Sequence, residues 1–565
     1  MELLKSVGFH TVVVDLHEEL VKEVRPALLL LLIGVGVVLL IGCVNVANLL
    51  LVRANGRMQE LAIRLAINAS RQQLTRQLLT ESVLLGVVGG AVGLAVGTAA
   101  VRLFARIGLE QLPRGGEVHV DVTVAVFALV LAVGTGLLFG LLPVVKVLRA
   151  DLNDVFRQSG RTGSSGRAAG LTRAGLVVVQ VSLAFVLLIA AGLTLASFQQ
   201  ALAVDLGFEP DQVVTARLTL PQSRYSEDAD SRSLLTRVLA RIRAQPGIER
   251  ASATNFLPFG GDSNASVIAI EGHTLAPGEK PPVPHYASVD DQYLRALNVP
   301  LLRGRTFDQR DAAEATPVVV IDRELAERYW PGEDPIGRRI LRGLPEEDNK
   351  SPWYTVVGIV GSIKTVGLTE PDTVGTVYFS AQQLPTRSLA LVVKTALPEE
   401  QVVAAVRREV LRADPELPLF DVKTMDARLS ESLANRRAPM VLLAVFAAVA
   451  LLLAAIGVYG VLVYAVRERT REIGIRVALG AQREQVLRQV LWQGARIVIL
   501  GLVLGFAGAV AATRVMASQL YGIGPTDPRV FSVVALTLAA AALVACLVPS
   551  LRATRVDPLT ALRYE

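Results

Sequence analysis

The sequence predicts a membrane α-helical bundle of about seven spans, built as two parallel three-span modules plus one extra span, with a large α+β domain inserted between them. Three observations carry this. Apolar runs of about 20 residues, enough to cross a hydrocarbon core, recur along a chain in which 52% of 565 residues are hydrophobic and 19% charged, with a mean hydropathy of +0.46. The stretch "EIGIRVALGAQREQVLRQ" (472–489) follows one such run, and a close copy, "ELAIRLAINASRQQLTRQ" (60–77), follows another. The intervening segment 205–437 loses the long apolar runs and alternates short β-branched stretches with amphipathic ones.

Taken in order, residues 1–25 ("MELLKSVGFHTVVVDLHEELVKEVR") lack the apolar core of a signal peptide. Spans are expected at 26–52, 78–104 and 120–145, which with a basic tail make a first module, 26–157. A Gly/Ser-rich basic linker, 158–173, leads to the extra span, 174–196. The outer domain occupies 205–437, and a second module, 439–565, carries spans 439–466, 490–513 and 531–549.

Basic residues set the orientation. Arg53, Arg57, Arg64, Arg71 and Arg76 follow the first span, Lys146, Arg149, Arg157, Arg161 and Arg167 the third, and Arg467, Arg469, Arg471, Arg476 and Arg483 the fifth. By the positive-inside rule these loops face the cytoplasm, which puts 205–437 on the opposite side. The same clustering accounts for the net charge of +6 without a nucleic-acid partner. Cys43 and Cys546 both fall in spans, so the outer domain holds no disulfide.

A shift of 412 positions superposes Glu60, Ile63, Arg64, Ala66, Ala69, Arg71, Gln73, Arg76 and Gln77 on Glu472, Ile475, Arg476, Ala478, Ala481, Arg483, Gln485, Arg488 and Gln489. After the last span of each half, Pro143, Arg149, Asp151 and Arg157 match Pro549, Arg555, Asp557 and Arg563. Both arginine loops lie on one side, so the halves repeat in parallel.

Within each loop an acid stands four residues before an arginine, Glu60 before Arg64 and Glu472 before Arg476, in the orientation that supports a helix. Gly480, or Asn68 in the first copy, suits the left-handed end of that helix. "SRQQ" (70–73) then offers a capping box for the next helix, and "QREQ" (482–485) a weaker one. Each loop therefore reads as helix, corner, helix. A rigid elbow held at both ends transmits a push into the spans; the plainer reading is a solvated basic loop that only fixes topology.

These segments resemble the FtsX/MacB-type permeases of ABC transporters, in particular the duplicated "orphan" type of acidobacteria. "CVNVANLLLVRANGRMQELAIRLAINASRQQLTRQLLTES" resembles a first FtsX-like module and "AAIGVYGVLVYAVRERTREIGIRVALGAQREQVLRQV" a second. "YLRALNVPLLRGRTFDQRD", "VIDRELAERYWPGEDPIGRRI" and "YTVVGIVGSIKTVGL" resemble the MacB-like periplasmic core domain. The resemblance implies that Glu472, Gly474, Arg476, Ala478, Gly480 and Arg483, with Glu60, Arg64, Ala66 and Arg71 in the first half, form loops that couple to a separate ABC ATPase subunit. Ala62 and Asn68 replace the family's glycines, and Leu152 its proline, which Pro558 retains in the second half. The resemblance also implies eight spans and two periplasmic domains, with residues 1–25 looking like the last strand and stalk helix of a first outer domain, so that the chain is expected to be an N-terminally truncated frame lacking its first span and the body of that domain.

The chain has no phosphate-binding loop of the G-x-x-x-x-G-K-[ST] kind, so ATP is expected to be used by the partner and no cofactor by this chain. No enzymatic activity of its own is expected: there is no G-x-S-x-G elbow, and His10, His17, His119, His273 and His285 lack metal-ligand spacing and read as surface polar residues. The spans hold almost no ionisable group, and Glu81 lies near a cytoplasmic mouth, which weighs against secondary transport. They hold small residues at four-residue spacing instead, Gly86/Gly90, Gly89/Gly93/Gly97, Gly136/Gly140 and Gly501/Gly505, suited to close helix packing, with Asn45 and Asn48 able to bond across such contacts.

The resemblance thus implies a multi-pass inner-membrane permease subunit whose partners are the ATPase, membrane lipid and a periplasmic adaptor, and whose cargo is a peptide, a macrolide-like compound or a lipoprotein. The main rival is a non-transporting regulator of a periplasmic hydrolase. A secondary transporter is the third.

Overall fold

The computed structural model describes residues 15, 22, 25–56, 60, 64, 67, 70–106, 120–149, 165–262, 264–273, 275–276, 279–345, 349–368, 375–468, 472, 475–476, 479 and 482–554. The expected stalk remnant in 1–25 falls almost wholly outside them, as do Asp151, Arg157, Arg555, Asp557 and Arg563.

In chain order the elements are α1 (Arg25–Gly56), α2 (Arg71–Arg106), α3 (Val122–Arg149), α4 (Ser165–Leu202), β1 (Val213–Thr219), α5 (Asp228–Arg243), β2 (Ile248–Thr254), β3 (Ile268–Ile270), β4 (His285–Val289), α6 (Tyr293–Ala296), β5 (Leu301–Gly304), β6 (Val318–Asp322), α7 (Arg323–Tyr329), β7 (Arg339–Arg342), β8 (Trp353–Val360), β9 (Thr376–Ser380), β10 (Ser388–Thr395), α8 (Glu399–Ala413), β11 (Phe420–Thr424), α9 (Met425–Glu468), α10 (Arg483–Met516) and α11 (Pro528–Ala553). They form two compact units, a helical one and an outer one centred on Ala201–Leu433, and the chain passes between the units within α4 and within α9.

In the helical unit six stretches are long and apolar enough to cross a membrane: Arg25–Leu50, Gln72–Leu103, Gly170–Leu202, Arg436–Val466, Arg483–Met516 and Pro528–Arg552. The expected third span coincides with α3, whose apolar stretch Val122–Leu138 is shorter. One boundary departs from expectation. α4 begins at Ser165, inside the segment read as linker, and one residue of that segment is drawn into the bundle: Arg173 is buried with its guanidinium over the Tyr464 ring, 3.8 Å from the centroid, while Leu171 stays exposed.

Close packing in this unit depends on missing side chains. A Cβ on Gly136 would lie 2.9 Å from the Ser82 carbonyl oxygen, and one on Gly86 equally close to that of Ala132, so α2 and α3 touch through backbone. Gly140 receives the Ser82 side chain. With lipid as apolar as leucine, such van der Waals contact is what holds spans together. Asn45 adds a polar tie from α1, donating to the Leu453 carbonyl of α9 at 3.0 Å, and Gln180 of α4 donates to that same carbonyl at 2.5 Å.

The outer unit is α+β. Its eleven-stranded mixed sheet runs β11-β1-β10-β2-β4-β9-β6-β8-β7-β3, with β5 added on β8. A single residue pair, Thr254 with Val289, joins β2 to β4, and the sheet accordingly carries two cores. In one, Val402, Val406 and Val410 of α8 meet Leu235, Leu239 and Ile242 of α5 and the strands beneath. In the other, Leu325 and Trp330, on and just after α7, pack on Val319, Ile321 and Phe379. His285, expected at the surface, is instead buried at the start of β4, stacked on Phe256 with ring centroids 5.4 Å apart. There it pairs with Thr376 of β9 on one side and Ala265 on the other, which leaves the ring little access to solvent.

Two ion clusters close the first lobe. Arg428, buried in the first turn of α9, donates to Thr215 of β1 at 2.7 Å and to the Asp421 carboxylate and carbonyl at 2.7 and 2.6 Å. Beyond α8, the Asp414 carboxylate accepts from the Tyr225 hydroxyl at 2.6 Å, the Glu416 amide at 3.0 Å and Arg224 at 2.7 Å. Those donors, Tyr225 first, hold the Asp414 carboxyl down at about 2, below its usual 3.8. A lowered folded value contributes stability that is complete above the ordinary carboxylate range and lost as pH falls toward about 2.

Two outcomes are expected. Gly136→Val forces α2 and α3 apart at a cost of about 1–3 kcal/mol, seen as a lower unfolding midpoint of the whole chain in detergent. Tyr225→Phe removes about 1 kcal/mol of protection from β1 and β10 amides at pH 5 by hydrogen exchange, and that difference shrinks as pH falls from about 4 to about 2.

Candidate functional site

The two arginine loops fold the same way locally. In the first, Arg64 donates through Nη2 to Glu60 Oε1 at 2.5 Å, one helical turn back, and through Nη1 to Gln77 Oε1 on α2 at 3.2 Å. In the second, Arg476 donates to Glu472 Oε1 at 2.5 Å and to Gln489 Oε1 on α10 at 2.9 Å. The planar guanidinium directs donors at two acceptors at once, so each fork ties a short helical segment to the spanning helix beyond the corner. The chain reverses between them at Ile67 and at Leu479, whose side chains are both well exposed.

Beyond each corner the next helix is capped. Ser70 Oγ accepts from the Gln73 amide at 3.2 Å while Gln73 Oε1 accepts from the Ser70 amide at 3.1 Å, the reciprocal box read from "SRQQ". At the second elbow Gln485 Oε1 accepts from the Gln482 amide at a longer 3.3 Å. Behind that elbow Val466, Glu472, Arg476, Val486, Gln489 and Gln493 enclose a cavity of ≈ 20 Å³, room for about one water.

Of the residues singled out from sequence, Glu60 and Arg64 meet in one fork and Glu472 and Arg476 in the other, Arg71 begins α2, and Arg483 begins α10 with an exposed side chain. Ala66, Gly474, Ala478 and Gly480 lie outside the described residues. Gly136 and Gly140 line the α2–α3 contact, and Gly501 and Gly505 face Val181 and Phe185 of α4. Among the described residues, no atom lies within 4 Å of a Cβ added at Gly89, Gly93 or Gly97, so none of those residues packs against them.

Sequence reasoning missed Gln77 and Gln489, the second anchors of the two forks. Their signal was present, since both belong to the superposed repeat, but thirteen residues and a corner separate each from its arginine. It also missed the polar seam of the bundle. Arg173 and Gln180 stand seven apart on one face of α4, against Tyr464 and Gly457, seven apart on α9. Both Arg173 Nη atoms and Gln180 Oε1 are buried without a hydrogen-bond partner, so the spans hold an ionisable group that the hydropathy windows excluded. Among the described residues, no His, Cys, Asp and Glu group could hold a metal.

Comparison with known proteins adds to this geometry. Residues 124–411 match the MacB-like periplasmic core domain, and residues 32–152 and 444–558 match the FtsX-like permease C-terminal. The chain belongs to the MacB/FtsX-like permease family. The two FtsX-like matches fall on the two halves related by the 412-residue shift, and the permease is a multi-pass membrane protein with a periplasmic-type domain.

This permease is 29% identical over 292 residues to the probable syringafactin export ATP-binding/permease protein SyfD of Pseudomonas syringae, covering 49% of this chain and 42% of that protein. It is 29% identical over 286 residues to the macrolide export ATP-binding/permease protein MacB of an Azoarcus species, covering 48% and 41%. With the pyoverdine export ATP-binding/permease protein PvdT of Pseudomonas aeruginosa the identity is 27% over 277 residues, covering 48% and 40%. The alignments thus span about two fifths of these relatives. Among solved structures, the periplasmic region of MacB from Actinobacillus actinomycetemcomitans aligns with 40% of the permease and 95% of that chain, at 14% identity and a TM-score of 0.27.

Arg476→Ala and Gln489→Ala are each expected to lower global stability by under about 1 kcal/mol, because the fork is half exposed and screened. Each should nonetheless loosen the second elbow, read as broadened spin-label spectra at a cysteine replacing Leu479, in variants whose unfolding midpoint is unchanged.

Proposed function

We propose that this chain is the permease component of an ABC transporter in the inner membrane, worked from the cytoplasm by a separate ATPase subunit. The observation that carries the reading is the twinned fork, Glu60–Arg64–Gln77 and Glu472–Arg476–Gln489, built with the same bonds in both halves. A corner braced in that way passes a displacement into α2 and α10 instead of absorbing it. The relatives' names join "export" to "ATP-binding/permease" in one protein, which supports an ATP-driven export system.

In this reading the ATPase grips the elbows, whose exposed apolar corners Ile67 and Leu479 sit among arginines. Movement then travels along the spanning helices to the periplasmic domain. α9 is suited to the relay, because Arg428 binds its first turn to β1 and its last turns lead to the second elbow. The domain moves a cargo already in the periplasm, a peptide, a macrolide-like compound or a lipoprotein, with a periplasmic adaptor as a further partner. ATP is consumed by the partner subunit and no cofactor is held by this chain.

The test is ATPase stimulation in proteoliposomes holding the permease and its co-purifying ATPase. Arg476→Glu and Glu472→Lys each break the fork, and each is expected to cut stimulation about tenfold or more, roughly 1.4 kcal/mol of coupling. The double exchange rebuilds the ion pair with reversed polarity. Recovery in the double variant locates the function in elbow rigidity, and continued loss locates it in contact with the ATPase. Full stimulation in both single variants overturns the reading.

A further inference from the structure

The seventeen residues Ile497–Thr513 of α10 carry no charge and are bracketed by Arg496 and Arg514. At about 1.5 Å per residue they rise about 25 Å, close to the thickness of a hydrocarbon core, so Arg496 sits at the edge of that core nearer the second elbow. Arg496 and Arg488 are both exposed, and between them stands Trp492, 55% exposed. Of the chain's three tryptophans it alone lies in the helical unit. The three side chains recur every four residues and lead on to the exposed Ile499 and Val503, so all five share one stripe of the outer face.

The Arg496 guanidinium reaches back over the Trp492 ring, 5.4 Å from its centroid, toward the start of the helix and away from the uncharged stretch. Neither Arg488 nor Arg496 has a hydrogen bond or ion pair among the described residues, and Glu484, one turn before Arg488, makes none with it. A guanidinium at that depth is costly in hydrocarbon and is stabilised by an anion within reach. The internal repeat supplies a control. The mates of Arg488, Trp492 and Arg496 are Arg76, Thr80 and Leu84, exposed in the same way, Leu84 to 66%. The first half presents the same helical face without the indole or the second cation, so the fold of the repeat does not itself call for them.

We propose that Arg488, Trp492 and Arg496 form a binding site for the phosphate of one anionic phospholipid in the cytoplasmic leaflet. Guanidinium groups bond phosphate oxygens in a fork, the indole N–H is a further donor at headgroup level, and Ile499 and Val503 offer the acyl chain an apolar path. A lipid fits better than a free phosphate, because the stripe runs without a break from two cations to exposed aliphatic side chains. The site adjoins the second elbow, since Gln489, which closes the fork with Arg476, follows Arg488 in the chain. Its placement in the cytoplasmic leaflet rests on the reading of the elbows under the proposed function. The lipid preference is measured without an ATPase, so either can fail alone.

The experiment places the full chain in vesicles that contain either phosphatidylglycerol or phosphatidylcholine with brominated acyl chains, whose bromine quenches indole fluorescence on contact. Trp492 is the reporter, and a Trp492→Phe chain supplies the background from Trp330 and Trp353 of the outer domain. Brominated phosphatidylglycerol is expected to quench at about fivefold lower mole fraction or less than brominated phosphatidylcholine, and the preference should shrink as salt rises. Arg488→Gln together with Arg496→Gln is expected to bring the ratio to about one, and Arg496→Gln alone to an intermediate value. Quenching by phosphatidylcholine should be unchanged in both variants, which shows the chain still seated in the bilayer. Equal quenching of the parent by the two lipids overturns the proposal in favour of plain lipid contact. A preference that survives the double substitution overturns it by placing the anion site elsewhere, and one abolished by inorganic phosphate in solution overturns it in favour of a free anion.

Discussion

One guanidinium in each half bonds two carbonyl-type oxygens that no local rule would bring together. Arg476 reaches back one turn to Glu472 and forward across a corner to Gln489, and Arg64 does the same with Glu60 and Gln77. Neither bond is strong, since charged groups this exposed are screened by water and salt. Their effect is geometric. With both in place, opening the corner breaks a directional contact between Arg64 or Arg476 and the spanning helix beyond it.

The helical unit is held together by close approach of its helices. Gly86 and Gly136 bring α2 and α3 to backbone contact, and Gly501 and Gly505 do the same for α10 and α4. Where such contacts bury polar groups, the low dielectric makes each hydrogen bond count for more and each orphan cost more. The Leu453 carbonyl accepts from both Asn45 and Gln180, joining three helices at one oxygen. Arg173, by contrast, has the face of Tyr464 and, among the described residues, no hydrogen-bond partner for either Nη atom, an arrangement that carries a cost near the start of α4. The outer domain uses different means. Two separate cores lie under one sheet, and the first is held at its margin by Arg428 and by the donors around Asp414.

Much of this was legible from residues alone. The alternation of β-branched and amphipathic stretches read in 205–437 became the strands and helices of an α+β unit, β10 and α8 among them, because amphipathic periodicity and β-branched runs are signals carried by the segment itself. The elbow's ion pairs followed from four-residue spacing for the same reason. Less local features were misread. His285 was assigned to the surface because a lone histidine in a polar context carries no mark of the strands that will flank it. The start of α4 was placed too late because a window average excludes an arginine that packing then buries. Of the glycine pairs, spacing showed all as equally suited to packing, yet only some have a neighbour.

By itself the sequence determined that the chain is membrane-embedded, duplicated in parallel, and equipped with two charged corners, since hydropathy, charge and repetition are properties of a segment wherever it lies. The tertiary structure alone decided which glycines touch, which glutamine closes each fork and how eleven strands are ordered. Each of those depends on groups far apart in the chain meeting within a few ångströms, and no one-dimensional pattern encodes that distance.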